Sequence, residues 1–361
     1  MSLADEVREQ VEAQQADADL ARERLARESA ARKVRSLEAV LRLLSVERDG
    51  LKQQLDFALG LQSAKLRAPK WTRKPSKRSG TAVACALLTD THFDEIVNPA
   101  EIDGLNAYNR QIAEKRLRRW AEKVCVLARE YITGVEYDGL VVPIAGDIFS
   151  GNIHEELKET NEATLMASVV HWIEHIEAAI RLLADEFGSV HCPAVVGNHG
   201  RFTRKPVAKR RAQDNVEWLL YRMLERAFRD DPRVTFAVSD AADTLFSIHG
   251  TNYLLTHGDQ FRGGSGISGM FSPLMLGHHR KTRRQMAAGK PFDWLVMGHL
   301  HQFFVGKGII VGGTMKGTDE YAYVSNFAPE PPQQAFWIND PEHGVTITAP
   351  VHVMDRKAEG W

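Results

Sequence analysis

Trp294-Leu295-Val296-Met297-Gly298-His299-Leu300-His301 is an apolar run of strand length that stops at a glycine and leads into two histidines one residue apart. Imidazoles at i and i+2 just past a strand end can lean into one space, or onto two neighbouring metal ions. A single pair of this kind is equally at home in a solvated loop. Its weight comes from four other apolar runs that end the same way. Thr81–Leu88 runs into Thr89-Asp90-Thr91-His92, and Leu140–Ala145 into Gly146-Asp147. Val190–Val196 runs into Gly197-Asn198-His199, and Tyr253–Leu255 into Thr256-His257-Gly258-Asp259. Candidate strands thus deliver Asp, Asn and His side chains at their ends, again and again.

Around these runs the chain reads as α/β. Ala113, Leu117, Trp120, Val124, Leu127 and Tyr131 recur by fours and threes, which predicts one apolar helix face. Met166, Val169, Ile173, Ile176, Ile180 and Leu183 do the same, as do Val216, Leu219, Leu220, Met223 and Ala227. In alternating α/β domains ligands collect at the carboxyl ends of the strands, where the motifs lie. Residues 262–291 interrupt the alternation. Gly263, Gly264, Gly266 and Gly269 suggest a loop, and His278, His279, Arg280, Lys281, Arg283 and Arg284 follow, so this reads as an insertion acting as a substrate lid. From Gly308 the chain reads as short strands and turns, a second all-β layer.

Two segments precede the domain. Residues 1–64 form a candidate N-terminal helix rich in Ala, Glu, Arg, Gln and Leu. Val34, Leu41 and Leu55 take one heptad position and Leu37, Leu44, Leu51 and Ala58 the other, with Arg48 and Gln62 as interruptions. That seam predicts a short coiled coil and a homo-oligomer. Residues 65–80 carry Lys65, Arg67, Lys70, Arg73, Lys74, Lys77 and Arg78 with two prolines and no acid, an exposed basic linker before the domain at 81–361.

At 361 residues the chain can bury a full core and carry an appendage. Lys+Arg at 46 against Asp+Glu at 47 gives a net charge of −1, so only the distribution of charge can point to a polyanion. Cys85, Cys125 and Cys192 lack CxxC spacing, which fits a reducing compartment. No apolar stretch is long enough to span a bilayer. A soluble cytoplasmic protein, of a bacterium or a phage-infected cell, is expected, with no membrane partner.

Asp90, His92, Asp147, Asn198, His257, His299 and His301 are mixed oxygen and nitrogen donors, suited to borderline divalent ions such as Mn, Fe or Zn. They are too many for one catalytic ion with open positions and the right number for two sharing a carboxylate. Such ions sit ~3.5–4 Å apart and clamp the attacking and leaving oxygens of a phosphoryl displacement. The ordered series Asp-x-His, Gly-Asp, Gly-Asn-His, His, Gly-His-x-His resembles the calcineurin-like metallophosphoesterase superfamily, over Thr81 to about Thr314. The resemblance implies a four-layer α/β/β/α sandwich and two divalent ions, Mn²⁺ foremost. It implies that Asp90, His92 and His301 hold one ion, that Asn198, His257 and His299 hold the other, and that Asp147 bridges them. His199 would contact the phosphate and act as general acid.

Departures from the superfamily pattern narrow the expectation. Ile148-Phe149-Ser150-Gly151-Asn152 stands where protein Ser/Thr phosphatases have an acidic-Arg-Gly continuation. SbcD-type double-strand-break nucleases have Gly-Asp-x-Phe-His, matched here through Phe149, and His154 is a candidate for the phosphate contact of the missing histidine. Gly200 replaces the usual acid after Gly-Asn-His, with Asp214 a candidate substitute. Arg201, Arg204, Lys205, Lys209, Arg210 and Arg211 follow, and Arg201 and Lys205 are the candidates for substrate phosphates.

These features favour a DNA nuclease, similar in flavour to SbcD-type and phage-encoded members, with an ATPase as a conceivable partner. A nucleotide phosphodiesterase or phosphomonoesterase is the enzymatic alternative. A coiled-coil scaffold with a degenerate phosphoesterase domain is the non-enzymatic one, and metal-dependent hydrolysis of any phosphodiester excludes it.

Overall fold

The computed structural model describes residues 69–73, 81–261 and 269–361, together with isolated helical positions between Arg24 and Arg48. Among those isolated positions the seam residues Val34 and Leu41 are exposed. The remaining seam residues, most of the basic linker, and Gly263, Gly264 and Gly266 lie outside the described residues. Contacts divide the chain into a unit at Met1–Lys65 and a unit at Leu66–Trp361, and the second holds every motif.

Two sheets build the second unit. The first has the order β11-β10-β1-β2-β3-β4. Its strands are β1 (Thr81–Ala86), β2 (Glu136–Val141), β3 (Val190–Ala194), β4 (Val234–Val238), β10 (Gln333–Asp340) and β11 (Gly344–His352). β1 to β4 run parallel, while β10 pairs antiparallel with β1 and carries β11 outside it. The second sheet has the order β5-β6-β7-β9-β8. It comprises β5 (Asp243–Ile248), β6 (Thr251–Thr256), β7 (Trp294–Met297), β8 (Phe304–Gly306) and β9 (Ile309–Val311), with β6, β7 and β9 parallel. The strands after Gly308 are therefore shared between both sheets rather than forming a layer of their own. The pairing partners lie far apart in sequence, beyond the reach of local pattern.

Strand alternation sorts the core into layers, because successive side chains point to opposite faces. Ala82, Ala84 and Ala86 of β1 face helices α1 (Arg110–Val126), α2 (Leu165–Phe187) and α3 (Val216–Ala227), packing with Trp120, Trp172 and Leu220. Val83, Cys85 and Leu87 face the other way and meet Tyr253, Leu255, Val296 and Ile310 of the second sheet. Leu254, Leu295, Met297 and Ile309 then face outward onto Leu274 of α4 (Phe271–Ala287). The result is a helix–sheet–sheet–helix sandwich, the fold class expected.

α4 is the described helical part of the segment 262–291. From Phe271 onward the segment is the outer helical layer, and Gly277 lets Phe261 pack where a Cβ would stand 2.3 Å from its ring. Lys281 is buried, with its ammonium 2.5 Å from Asp243 and 2.6 Å from Gln260, and Arg284 pairs with the same carboxylate. Two residues of this basic run, Lys281 and Arg284, thus pair within the fold. Cys85 and Cys192 are buried free thiols whose pKa values burial raises. Among the described residues no helix is long and apolar enough to cross a membrane.

Candidate metal centre

The parallel strands of both sheets end at one edge, and the loops that follow β1, β2, β3, β6 and β7 converge there. Each turns sharply. Asp90, His92, Asp147, His299 and His301 all have positive φ, between +46° and +70°. Left-handed backbone at a non-glycine residue costs about 1–3 kcal/mol and persists only where the surroundings enforce it. Here the carboxylates do so. Asp90 accepts the backbone N–H of His299 at 3.0 and 2.9 Å, and Asp147 accepts that of His199 at 2.8 Å, so each anchors another motif's loop. The motif glycines make room for this. A Cβ on Gly298 would stand 2.1 Å from Asp90 Oδ2, and one on Gly197 would stand 2.1 Å from Asp147 Oδ1.

Asp90, His92 and His301 form one donor cluster, Asp147, His257 and His299 another, and His92, Asp147 and His199 a group that joins the two. In the first, His92 Nε2 lies 3.0 Å from His301 Nε2, and His301 Nε2 lies 3.4 Å from Asp90 Oδ1. In the second, His257 Nε2 lies 3.0 Å from Asp147 Oδ2 and 3.1 Å from Asn198 Oδ1. A tetrahedral ion with bonds near 2.0–2.1 Å spaces its donors ~3.3 Å apart, close to these separations. His257 Nδ1 is 2.7 Å from the carbonyl of Ala145, which can only accept, so Nδ1 carries a proton and Nε2 is the nitrogen turned to Asp147 and Asn198. All seven predicted ligands are therefore brought together at one edge. His199 stands beside them, Nε2 4.0 Å from Asp147 Oδ2, with Nδ1 donating to the Ser150 carbonyl at 2.6 Å.

Electrostatics also fit two cations. Asp90 and Asp147 are fully buried, and among the described residues neither has a Lys or Arg in ion-pair contact. Burial opposes charge on Asp147 most strongly, yet His257 and His199 hold its carboxyl well below the usual range. On His257 burial works against protonation, and the Asp147 and Asp90 carboxylates override it, raising its pKa to about 10. Two buried anions demand positive charge at Nε2 of His257, and an ion coordinated there supplies it. His92 and His299 go the other way: burial, then neighbouring cationic groups, lower each to about 4, leaving neutral imidazoles fit to ligate.

Two supporting groups escape sequence reasoning. Glu95 Oε2 is 3.3 Å from His92 Nδ1, and its other oxygen accepts from the buried Lys316 at 2.7 Å. Glu95 lies three residues after His92, a faint local clue, but Lys316 arrives from the far end of the domain. The second group is Glu217, in the first turn of α3. Its oxygens accept the backbone N–H of Ile148 and of Gly197, each at 2.7 Å, tying the Gly-Asp loop to the Gly-Asn-His loop. Burial, then Asp147, raises its pKa to about 7. Gly200 is explained by this arrangement: a Cβ there would meet Asn215 Oδ1 at 2.3 Å and Glu217 Cγ at 2.8 Å. Glu217 places a carboxylate on the backbone of Gly197, two residues before His199, and on that of Ile148. Asp214, the substitute suggested by sequence, is exposed.

The candidate substrate residues are placed unevenly. His154 is exposed, with its ring 6.0 Å from that of His199. Lys205 is exposed, as are Arg204, Lys209 and Arg210. Arg201 is half-buried and donates to the carbonyls of Asn198, Thr203 and Arg204 at 2.9, 2.9 and 3.1 Å. Those bonds make Arg201 a brace for the loop behind Asn198 and leave it less free to reach a phosphate.

No family model and no curated protein matches this chain. Solved structures to which the chain is similar include Vps29 from Entamoeba histolytica complexed with zinc, at 13% identity and TM-score 0.30 over 74% of this chain and 99% of that one. A putative 5'-nucleotidase from Staphylococcus aureus is similar at 12% identity and TM-score 0.35, over 76% of this chain and 55% of that one. A dimetal phosphatase from Danio rerio is similar at 10% identity and TM-score 0.34, over 75% and 99%. This chain is a four-layer α/β sandwich whose strand ends gather two linked donor clusters for divalent ions.

Proposed function

We propose that this chain is a two-metal phosphoester hydrolase, and that its substrate is a phosphodiester of nucleic acid, DNA in the first instance. The observation that carries the reading is the pair of donor clusters set beside each other, with Asp147 a member of the second and grouped, together with His199, with His92 of the first. Asp90, His92 and His301 would hold one ion, Asn198, His257 and His299 the other, and Asp147 would bridge. When bound, the ions supply Lewis-acid charge for the phosphoryl group and acidify a water for attack. His199 donates its Nδ1 proton to the Ser150 carbonyl; with Nε2 also protonated, an imidazolium that burial opposes and the Asp147 carboxylate 4.0 Å away favours, it would give that second proton to the leaving oxygen. Glu217 and Glu95 hold the loops and the His92 ring in place. The metal proposed is Mn²⁺, with Fe or Zn as alternatives.

The choice of DNA rests on the exposed basic loop at Arg204, Lys205, Lys209 and Arg210 beside the centre. His154 and Lys205 are the proposed phosphate contacts. A second reading, a nucleotide phosphodiesterase or phosphomonoesterase, gains from Arg201 bracing its own loop and from Lys281 and Arg284 binding Asp243. Those contacts remove part of the charge a long polyanion would track. Incubating the purified chain and Mn²⁺ with linear duplex DNA, single-stranded DNA, RNA, a nitrophenyl phosphodiester and a nitrophenyl monoester separates the two. Cleavage of the diester with no DNA degradation would replace the nuclease reading by the second one. Pairing of copies through the N-terminal helix, and an ATPase partner, belong to the same proposal; light scattering of the full chain tests the first.

A further inference from the structure

A third group of donors lies away from the strand-end centre, on the helical face of the first sheet. α1 and α2 pack side by side, and the four-residue spacing of His171 and His175 puts both rings on one face of α2. Glu114 of α1 meets them. His171 Nε2 is 2.9 Å and His175 Nε2 3.7 Å from Glu114 Oε1, and the donor atoms all lie within 4.8 Å of one another. These separations straddle the ~3.3 Å between donors on a tetrahedral zinc-class ion. The tautomer of one ring is set as well. His175 Nδ1 is 3.0 Å from the His171 carbonyl, which only accepts, so Nδ1 carries the proton and Nε2 the lone pair.

The rings are held from behind. Buried Trp172 sits against both imidazoles, 5.1 and 5.4 Å between centroids, and is itself fixed by its indole N–H to Asp94 at 3.1 Å and by stacking on Phe93. The donor side chains remain about a third exposed, at 34%, 28% and 37% for Glu114, His171 and His175, so an ion has a route in and a solvent-facing position. One carboxylate and two imidazoles present a mixed oxygen and nitrogen donor set of borderline softness. That set suits Zn²⁺, Ni²⁺ or Cu²⁺ better than the hard ions.

We propose that Glu114, His171 and His175 form a third metal site, independent of the two-ion centre, which takes a zinc-class divalent ion with water in the open position and clasps α1 to α2. A plain ion pair between Glu114 and His171 is the competing account. Equilibrium dialysis of the full chain against Zn²⁺ decides between them, comparing wild type, the His171→Gln/His175→Gln double variant and Glu114→Gln. Wild type is expected to bind one more equivalent of zinc than the double variant, and to gain a zinc-dependent rise in Tm that the double variant lacks. Glu114→Gln keeps both rings and should weaken that equivalent by more than about tenfold, the loss caused even by removing an outer partner of a bound metal. Since the three positions are partly exposed, the variants should keep the wild-type Tm in chelator, and their Mn²⁺-dependent hydrolysis should match wild type. Equal zinc stoichiometry and equal zinc response in wild type and double variant would overturn the site.

Discussion

Removing Glu217 should loosen the metal centre without touching any ligand, and the size of the effect follows from its contacts. Its carboxylate is fully buried and takes the backbone N–H groups of Ile148 and Gly197, neighbours of Asp147 and Asn198. Glu217→Ala leaves two buried donors unpaired, each costing about 1–3 kcal/mol, or roughly 2–6 kcal/mol together. That is a large part of the ~5–15 kcal/mol by which domains are stable. Glu217→Gln retains one acceptor and sets an amide N–H against the other donor, so roughly half the loss is expected. Because the loops carry Asp147 and Asn198, the Mn²⁺ concentration for half-maximal hydrolysis of a nitrophenyl phosphodiester should rise about 10–100-fold, as for lost outer partners of metal ligands. Urea unfolding and a Mn²⁺ activation curve measure the two effects. Glu217→Ala with wild-type unfolding and an unshifted activation curve would refute the clamp.

Other outcomes follow from the same geometry. Asp147→Asn and His301→Ala should abolish hydrolysis while the fold persists, with bound metal falling towards one ion for the histidine change; full activity in Asp147→Asn removes the two-ion reading. His199→Ala should keep its metal and lose turnover by about two to four orders of magnitude, less on a nitrophenyl ester whose leaving group needs no proton. Loss of both ions would instead make His199 a ligand. Neutralising Arg204, Lys205, Lys209 and Arg210 together should raise KM for long DNA and flatten log affinity against log salt by about 0.7–0.9 per lost phosphate contact. Unchanged DNA kinetics would favour the small-molecule reading. Finally, burial lowers the pKa of His191 from its ordinary 6.5 to about 4. The unfolded chain takes up this proton first as pH falls, so its contribution is complete above pH 6.5 and declines towards pH 4, by about 3 kcal/mol in all. His191→Gln should flatten the dependence of the urea midpoint on pH in that window, and an unchanged slope would contradict the assignment.

Much of the fold is local chemistry. The apolar runs of β1, β3, β6 and β7, the helical periodicity of α1 to α3, and the side chains delivered at each strand end are written in consecutive residues, because strand and helix periods are local. Donor type is equally legible, since Asp, Asn and His in such numbers suit few ions. What sequence could not hold was pairing across the chain. Nothing near Gly308 announces that Gln333–Asp340 returns to pair with Thr81–Ala86, or that Leu274 of Phe271–Ala287 packs on the second sheet. Charge misleads for the same reason: Lys281 and Arg284 look like a basic face until Asp243, about forty residues earlier, is folded against them.

The departure at Gly200 divides the two kinds of information most cleanly. By sequence it is a missing acid with an unknown replacement. In the folded chain it is the space that Asn215 and Glu217 occupy, and the Glu217 carboxylate reaches the backbone of Gly197 and Ile148 from the first turn of α3. His171 and His175 stand four residues apart on α2, and only the packing of α1 on α2 brings Glu114 to them. Sequence determines which donors a chain owns and which element carries each, since both are set by neighbours in the chain. Which donors share a point in space depends on long-range packing, and there only the tertiary structure decides.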